Sequence, residues 1–150
     1  MAVTMSGEVV LPADKATVWA ALNDAATLKA SIPGCESLEK LSDSELQAVA
    51  KVKIGPVSAR FKGKVNLTDM DPPNSYRISG QGDGGIAGFA KGGANVKLTD
   101  ADGGGTTLHY DVDAQVGGKI AQLGGRLIDS TAKKLADEFF ANFARALGAS

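Results

Sequence analysis

The sequence is short of several things, and each shortage removes a class of function. It holds one cysteine, Cys35, in 150 residues, which can neither close an internal disulfide nor supply a Cys-rich zinc site. That thiol reads as a small, partly buried side chain near the start of a strand. No basic excess exists, since 16 Lys and Arg stand against 17 Asp and Glu, so a nucleic-acid partner is not expected. No apolar run approaches the roughly 18 residues needed to span a bilayer. Met1 to Val10 lack a basic segment followed by an apolar one, so no secretion signal is read there, and a cytoplasmic location follows by elimination. Without secretion, the sequon Asn66-Leu67-Thr68 carries no meaning. Aromatics are few as well: one Trp, two Tyr and five Phe.

What is present describes one globular domain, expected to cover 1–150. Apolar residues make up 43% and charged residues 22%, ordinary for a chain that buries a core. Met5 to Leu11 patterns as a strand. Pro12 is placed to open a helix through Ala13, Val18, Trp19 and Leu22, and a second short helix covers about Ala25 to Ser31, stopped by Ile32-Pro33-Gly34.

Period-two alternation then takes over. Leu46, Ala48, Ala50, Val52 and Ile54 alternate with Gln47, Lys51 and Lys53. After Gly55-Pro56, Val57, Ala59, Phe61, Val65 and Leu67 alternate with Ser58, Arg60, Lys62, Lys64 and Asn66, which predicts an antiparallel hairpin with one face inward. Pro72-Pro73-Asn74 and Gly103-Gly104-Gly105 are turns between further strands carrying Tyr76 and Ile78, Val96 and Leu98, then Leu108, Tyr110, Val112 and Ala114. The glycine-rich stretch from Gly80 to Gly93 predicts a strongly bent sheet. From Gly118 the period becomes helical, with Ile120, Leu123, Leu127, Thr131, Leu135, Phe139, Phe143 and Leu147 on one face. That predicts one amphipathic helix of roughly 30 residues, about 45 Å long. The fold class is therefore α+β. A curved antiparallel sheet of six to seven strands wraps a long C-terminal helix, with two short helices after the first strand.

Several segments resemble one family. They are Gly7-Glu8, Ile32-Pro33-Gly34-Cys35-Glu36, Lys53-Ile54-Gly55-Pro56-Val57, Phe61-Lys62-Gly63-Lys64-Val65, the glycine-rich run, and Gly118 to Phe143 with Phe139-Phe140. Together they are similar to the carbon monoxide dehydrogenase G-subunit family of the START-like (SRPBCC) superfamily, over nearly the whole chain. The resemblance implies a helix-grip fold and an accessory role beside a molybdenum-flavin carbon monoxide dehydrogenase or a xanthine-oxidase-like relative, linking it to the membrane or to the quinone pool. It implies no cofactor of the protein's own. Several such proteins carry an apolar C-terminal tail. This sequence stops at Ser150, which weakens the expectation of membrane anchoring and leaves peripheral association at the inner face of the membrane.

The chemistry-bearing residues are few. His109, Asp111 and Asp113 alternate on one strand like metal ligands, but Leu108, Tyr110 and Val112 hold the apolar face, so the triplet should point to solvent, within reach of Lys97. Gly80, Gly82 and Gly85 match the G-x-G-x-x-G spacing without the following helix that a dinucleotide needs. Lys51, Lys53, Arg60, Lys62 and Lys64 face outward on one hairpin with no acid between Leu46 and Thr68, a candidate docking surface for an acidic partner or an anionic membrane. A solvated strand face explains the same lysines. Phe61, Val65, Tyr76, Ile78, Phe89, Tyr110, Leu123, Leu127 and Thr131 are expected to line a hollow between the sheet and the first half of the long helix. Such a hollow suits a lipophilic ligand, a quinone by the resemblance, better than catalysis. No catalytic or metal residues are assigned. The alternative is a cyclase- or hydrolase-like enzyme of the same superfamily, for which Tyr76, Tyr110 and Thr131 are the only inward polar candidates.

Overall fold

The computed structural model describes residues 1–148, so the last two residues of the expected domain lie outside the described residues. Seven strands form one antiparallel sheet. They are β1 (Ala2–Leu11), β2 (Cys35–Ser42), β3 (Glu45–Ile54), β4 (Val57–Asp71), β5 (Ser75–Asp83), β6 (Phe89–Asp100) and β7 (Thr106–Gly117). Their spatial order is β1-β7-β6-β5-β4-β3-β2. Helices α1 (Lys15–Leu22) and α2 (Ala25–Ser31) follow β1, and α3 (Gly125–Ala146) closes the chain. This is the helix-grip fold.

The two short helices begin at aspartates. The Asp14 carboxylate accepts from the Thr17 N–H at 2.9 Å, and Asp24 accepts from Thr27 N–H at 3.1 Å and from its hydroxyl at 2.6 Å. These bonds satisfy N–H groups that a first helical turn leaves unpaired, and they hold both carboxyls below the usual carboxylate range. Pro12 therefore lies ahead of the cap and does not open α1, a correction to the sequence expectation. A second correction extends β1 back to Ala2, because β7 offers pairing partners as far as Gln115.

The third correction concerns the long helix. Lys119–Leu123 form a 3-10 turn, Gly124 breaks the backbone at φ 97°, and α3 starts only at Gly125. Its 22 residues span about 33 Å rather than 45 Å. Gly118 starts the 3-10 turn at φ 80°, where a Cβ would sit 2.5 Å from the Gly88 Cα. The helical periodicity there describes one face of two unlike segments.

The glycine-rich run forms the end of β5 and the start of β6, joined by a 3-10 turn at Gly85–Ala87. A Cβ at Gly92 would overlap the Asp113 carbonyl oxygen, and one at Gly93 would overlap that of Ile78. Neighbouring backbones thus approach more closely than any side chain allows. The core divides in two. One cluster gathers Leu11, Val18, Leu22, Leu67, Tyr76, Leu98, Leu108 and the fully buried Phe143, and the other gathers Val3, Ile54, Val116, Ile120 and Ile128. Asn142 donates to the Ser31 carbonyl at 3.1 Å, tying α3 to α2.

Candidate functional site

A largely apolar hollow of about 290 Å³ lies between the inner face of the sheet and the second half of α3. Its floor is strand: Met5, Val65, Tyr76, Ile78, Ala94, Tyr110 and Val112 all present inward positions. Its roof is Ala136, Phe139 and Phe140 of α3, and Leu22, Leu28 and Ile32 close the side where α1 and α2 lie. The hollow persists because the sheet curves away from a straight helix while the inward residues on β6 are small. Ala94 stands between Ile78 and Val112 across three strands.

Four of the nine residues expected to line the hollow do so: Val65, Tyr76, Ile78 and Tyr110. Phe61, Leu123 and Leu127 pack instead in the second cluster, with Ile54 and Ile128. Thr131 donates its hydroxyl to the Leu127 carbonyl at 2.8 Å. Phe89 stands at the outer end of β6, 39% exposed, and its ring lies over Gly117. The expected convergence on the first half of the helix is thus corrected to the second half. The first half of α3 instead packs Leu127, Ile128 and Ala132 into the second cluster, together with Ile120 of the 3-10 turn. Ala136 and Leu28 escaped sequence reasoning. Their only signal was membership of apolar helix faces, which says nothing about the gap opposite.

The aromatic groups are ordered by one another. Trp19 meets Tyr76 edge-on at 5.2 Å, Tyr110 stacks on Phe140 at 5.2 Å, and Phe139 stacks on Phe143 at 5.7 Å. Tyr76, Val96, Tyr110 and Gly7 form one row across four strands. Gly7 leaves room for the Tyr110 hydroxyl, which would stand 2.7 Å from a Cβ at that position. Burial pushes the Tyr76 hydroxyl's pKa up, so it remains a neutral donor.

The charged residues lie outside the hollow. His109 Nδ1 stands 3.2 Å from a Glu8 carboxylate oxygen, and its Nε2 hydrogen-bonds the Thr99 hydroxyl at 3.2 Å. Asp113 pairs with Arg77 at 3.1 Å, not with Lys97. All five hairpin cations are exposed. Glu36 of β2 takes Arg60 through two hydrogen bonds, and Glu45 stands 3.8 Å from Lys64. Lys62 stands opposite Asp83 in register. The patch is therefore less uniformly basic than the hairpin sequence suggests, because adjacent strands bring acids to it.

Comparison with known proteins decides the family. The family model of the carbon monoxide dehydrogenase G subunit (CoxG) matches residues 7–148. The chain belongs to that family. Among solved structures, a conserved protein from Geobacillus kaustophilus is 30% identical, with a TM-score of 0.90 over 97% of this chain and 95% of that one. A START superfamily protein from Mycobacterium smegmatis is 16% identical, with a TM-score of 0.72 over 96% of each chain. The ZhuI aromatase/cyclase from Streptomyces sp. R1128 is 11% identical, with a TM-score of 0.71 over 98% of this chain and 94% of that one. These last two share the fold alone. No curated protein matches. Among the described residues of this CoxG-family chain, no helix is long and apolar enough to cross a membrane.

Proposed function

We propose that the protein is a non-catalytic accessory protein of a molybdenum-flavin carbon monoxide dehydrogenase or a xanthine-oxidase-like relative. It holds a lipophilic molecule, a quinone, in the apolar hollow and helps couple or recruit the enzyme to the membrane. The observation that carries this reading is the composition of the hollow's wall. Nineteen residues line it, and none carries a formal charge. Proton transfer or nucleophilic attack needs a titratable group poised near neutrality and converging with others. The wall offers only two tyrosine hydroxyls. That argues for storage or transport, and against the cyclase-type chemistry of the distant ZhuI neighbour. At about 290 Å³ the hollow stands at the lower end of small-molecule sites, which fits a ring head group better than a long chain. Val65, Tyr76, Ile78 and Tyr110 are the proposed contacts, joined by Ala136 and Phe140. The outward cations Lys51, Lys53, Arg60, Lys62 and Lys64 form the proposed docking face.

The test is native mass spectrometry of protein purified from its own host, followed by extraction and identification of whatever is bound. A stoichiometric isoprenoid quinone is expected. Replacing Ala136 with Trp fills the hollow from the helix side and should abolish uptake while cooperative thermal unfolding persists. A protein that is empty and also takes up no added quinone overturns the reading.

A further inference from the structure

Tyr76 is the one polar side chain buried in the wall of the hollow, only 5% exposed. Its hydroxyl has no hydrogen-bond partner among the described residues. Buried phenols normally find such a partner. Yet among the described residues no fully enclosed side-chain oxygen lacks a partner, so the Tyr76 oxygen keeps accessible surface. The residue occupies an inward strand position on the same face as Ile78 and is among those that line the hollow. Trp19, edge-on at 5.2 Å, limits how the ring can turn. Tyr110 carries the other hydroxyl, but it is only half-buried and lies over Gly7.

Resting on the carrier reading, we infer that Tyr76 selects the ligand class: a neutral, largely apolar molecule bearing a hydrogen-bond acceptor such as a ring carbonyl. The hydroxyl donates to that acceptor, a bond that no protein group among the described residues supplies. A carboxylate is excluded by the same wall. It carries no Lys, Arg or His, so an anion entering it would lose its water without gaining a counter-charge. Fatty acids and aromatic acids of matching size are therefore poor ligands, and saturated hydrocarbons bind without using Tyr76.

Three probes of similar size separate these terms by calorimetric titration: 2-methyl-1,4-naphthoquinone, 2-methylnaphthalene and 2-naphthoate. Tyr76→Phe keeps the ring that packs on Trp19 and removes only the hydroxyl. It should weaken the quinone by about tenfold, the size of one hydrogen bond, and change the hydrocarbon by less than about twofold. The unaltered protein should bind the carboxylate at least about tenfold more weakly than the quinone. An equal loss for quinone and hydrocarbon, no loss for either, or parity between quinone and carboxylate overturns the inference while leaving the hollow a binding site. If none of the three binds the unaltered protein, the carrier reading itself fails, and the selection falls with it.

Discussion

Cys35 opens β2 with its Sγ donating to the Ser37 carbonyl oxygen at 3.3 Å. Burial pushes the thiol's pKa up, more than nearby Lys29 and the bond to Ser37 pull it down. Reactivity follows the thiolate, so a raised pKa suppresses it. The folded protein should be alkylated by iodoacetamide more slowly at pH 8 than the urea-unfolded chain, with the ratio narrowing as pH rises through the folded thiol's pKa. Equal rates at pH 8 would mean that the thiol titrates normally and is open to solvent. Its place as a partly buried side chain at the start of a strand matches the sequence reading. The residue before Cys35, Gly34, is in the turn after α2 and sits against β3. There a Cβ at Gly34 would overlap the Lys51 carbonyl oxygen, a contact between residues far apart in sequence.

At the scale of elements, the junction before α3 is where pattern and structure diverge. Gly124 and Gly125 look alike in sequence, yet only Gly124 has positive φ, and neither would bring a Cβ within 4 Å of another atom. The cost of alanine at Gly124 is thus purely backbone, about 1–2 kcal/mol. At Gly125, the first residue of α3, alanine should instead stabilise by about 0.4–1 kcal/mol by restricting the unfolded chain. Urea unfolding with unchanged slope should show the midpoint falling for Gly124→Ala and rising for Gly125→Ala. A rise at Gly124 would show that the break is not imposed by its backbone geometry. Strand alternation was legible because the side-chain period of a strand is local. Val52 and Ile54 face inward as their parity requires. The helix break showed in the sequence only as a weak spot at Gly124-Gly125, because leucines at helical spacing continue straight across it.

For the whole molecule, docking is a question of charge placed by folding. Lys51, Lys53 and Lys62 make no ion pair among the described residues, unlike Arg60 with Glu36. Changing these three lysines to Glu should weaken association with the partner dehydrogenase and flatten its salt dependence. Thermal stability should stay unchanged, because surface charges of this kind contribute little to folding, and so should the proposed quinone uptake. Association that survives the change at low salt would mark the patch as solvated surface. The sequence by itself determined the strand alternation, the turns and the presence of two short helices, though not where β1 and α1 begin, and it put no charge on the strand faces that line the hollow. These follow from periodicity and residue type along neighbouring positions. Only the tertiary structure decided that Met5, Leu28, Val65, Tyr110 and Phe140 meet around a single hollow while Phe61, Leu127 and Phe89 do not. It also decided that acids on β2 and at the start of β3 temper the basic hairpin. A cavity is space left over when a curved sheet meets a straight helix, and space left over has no residue of its own to announce it.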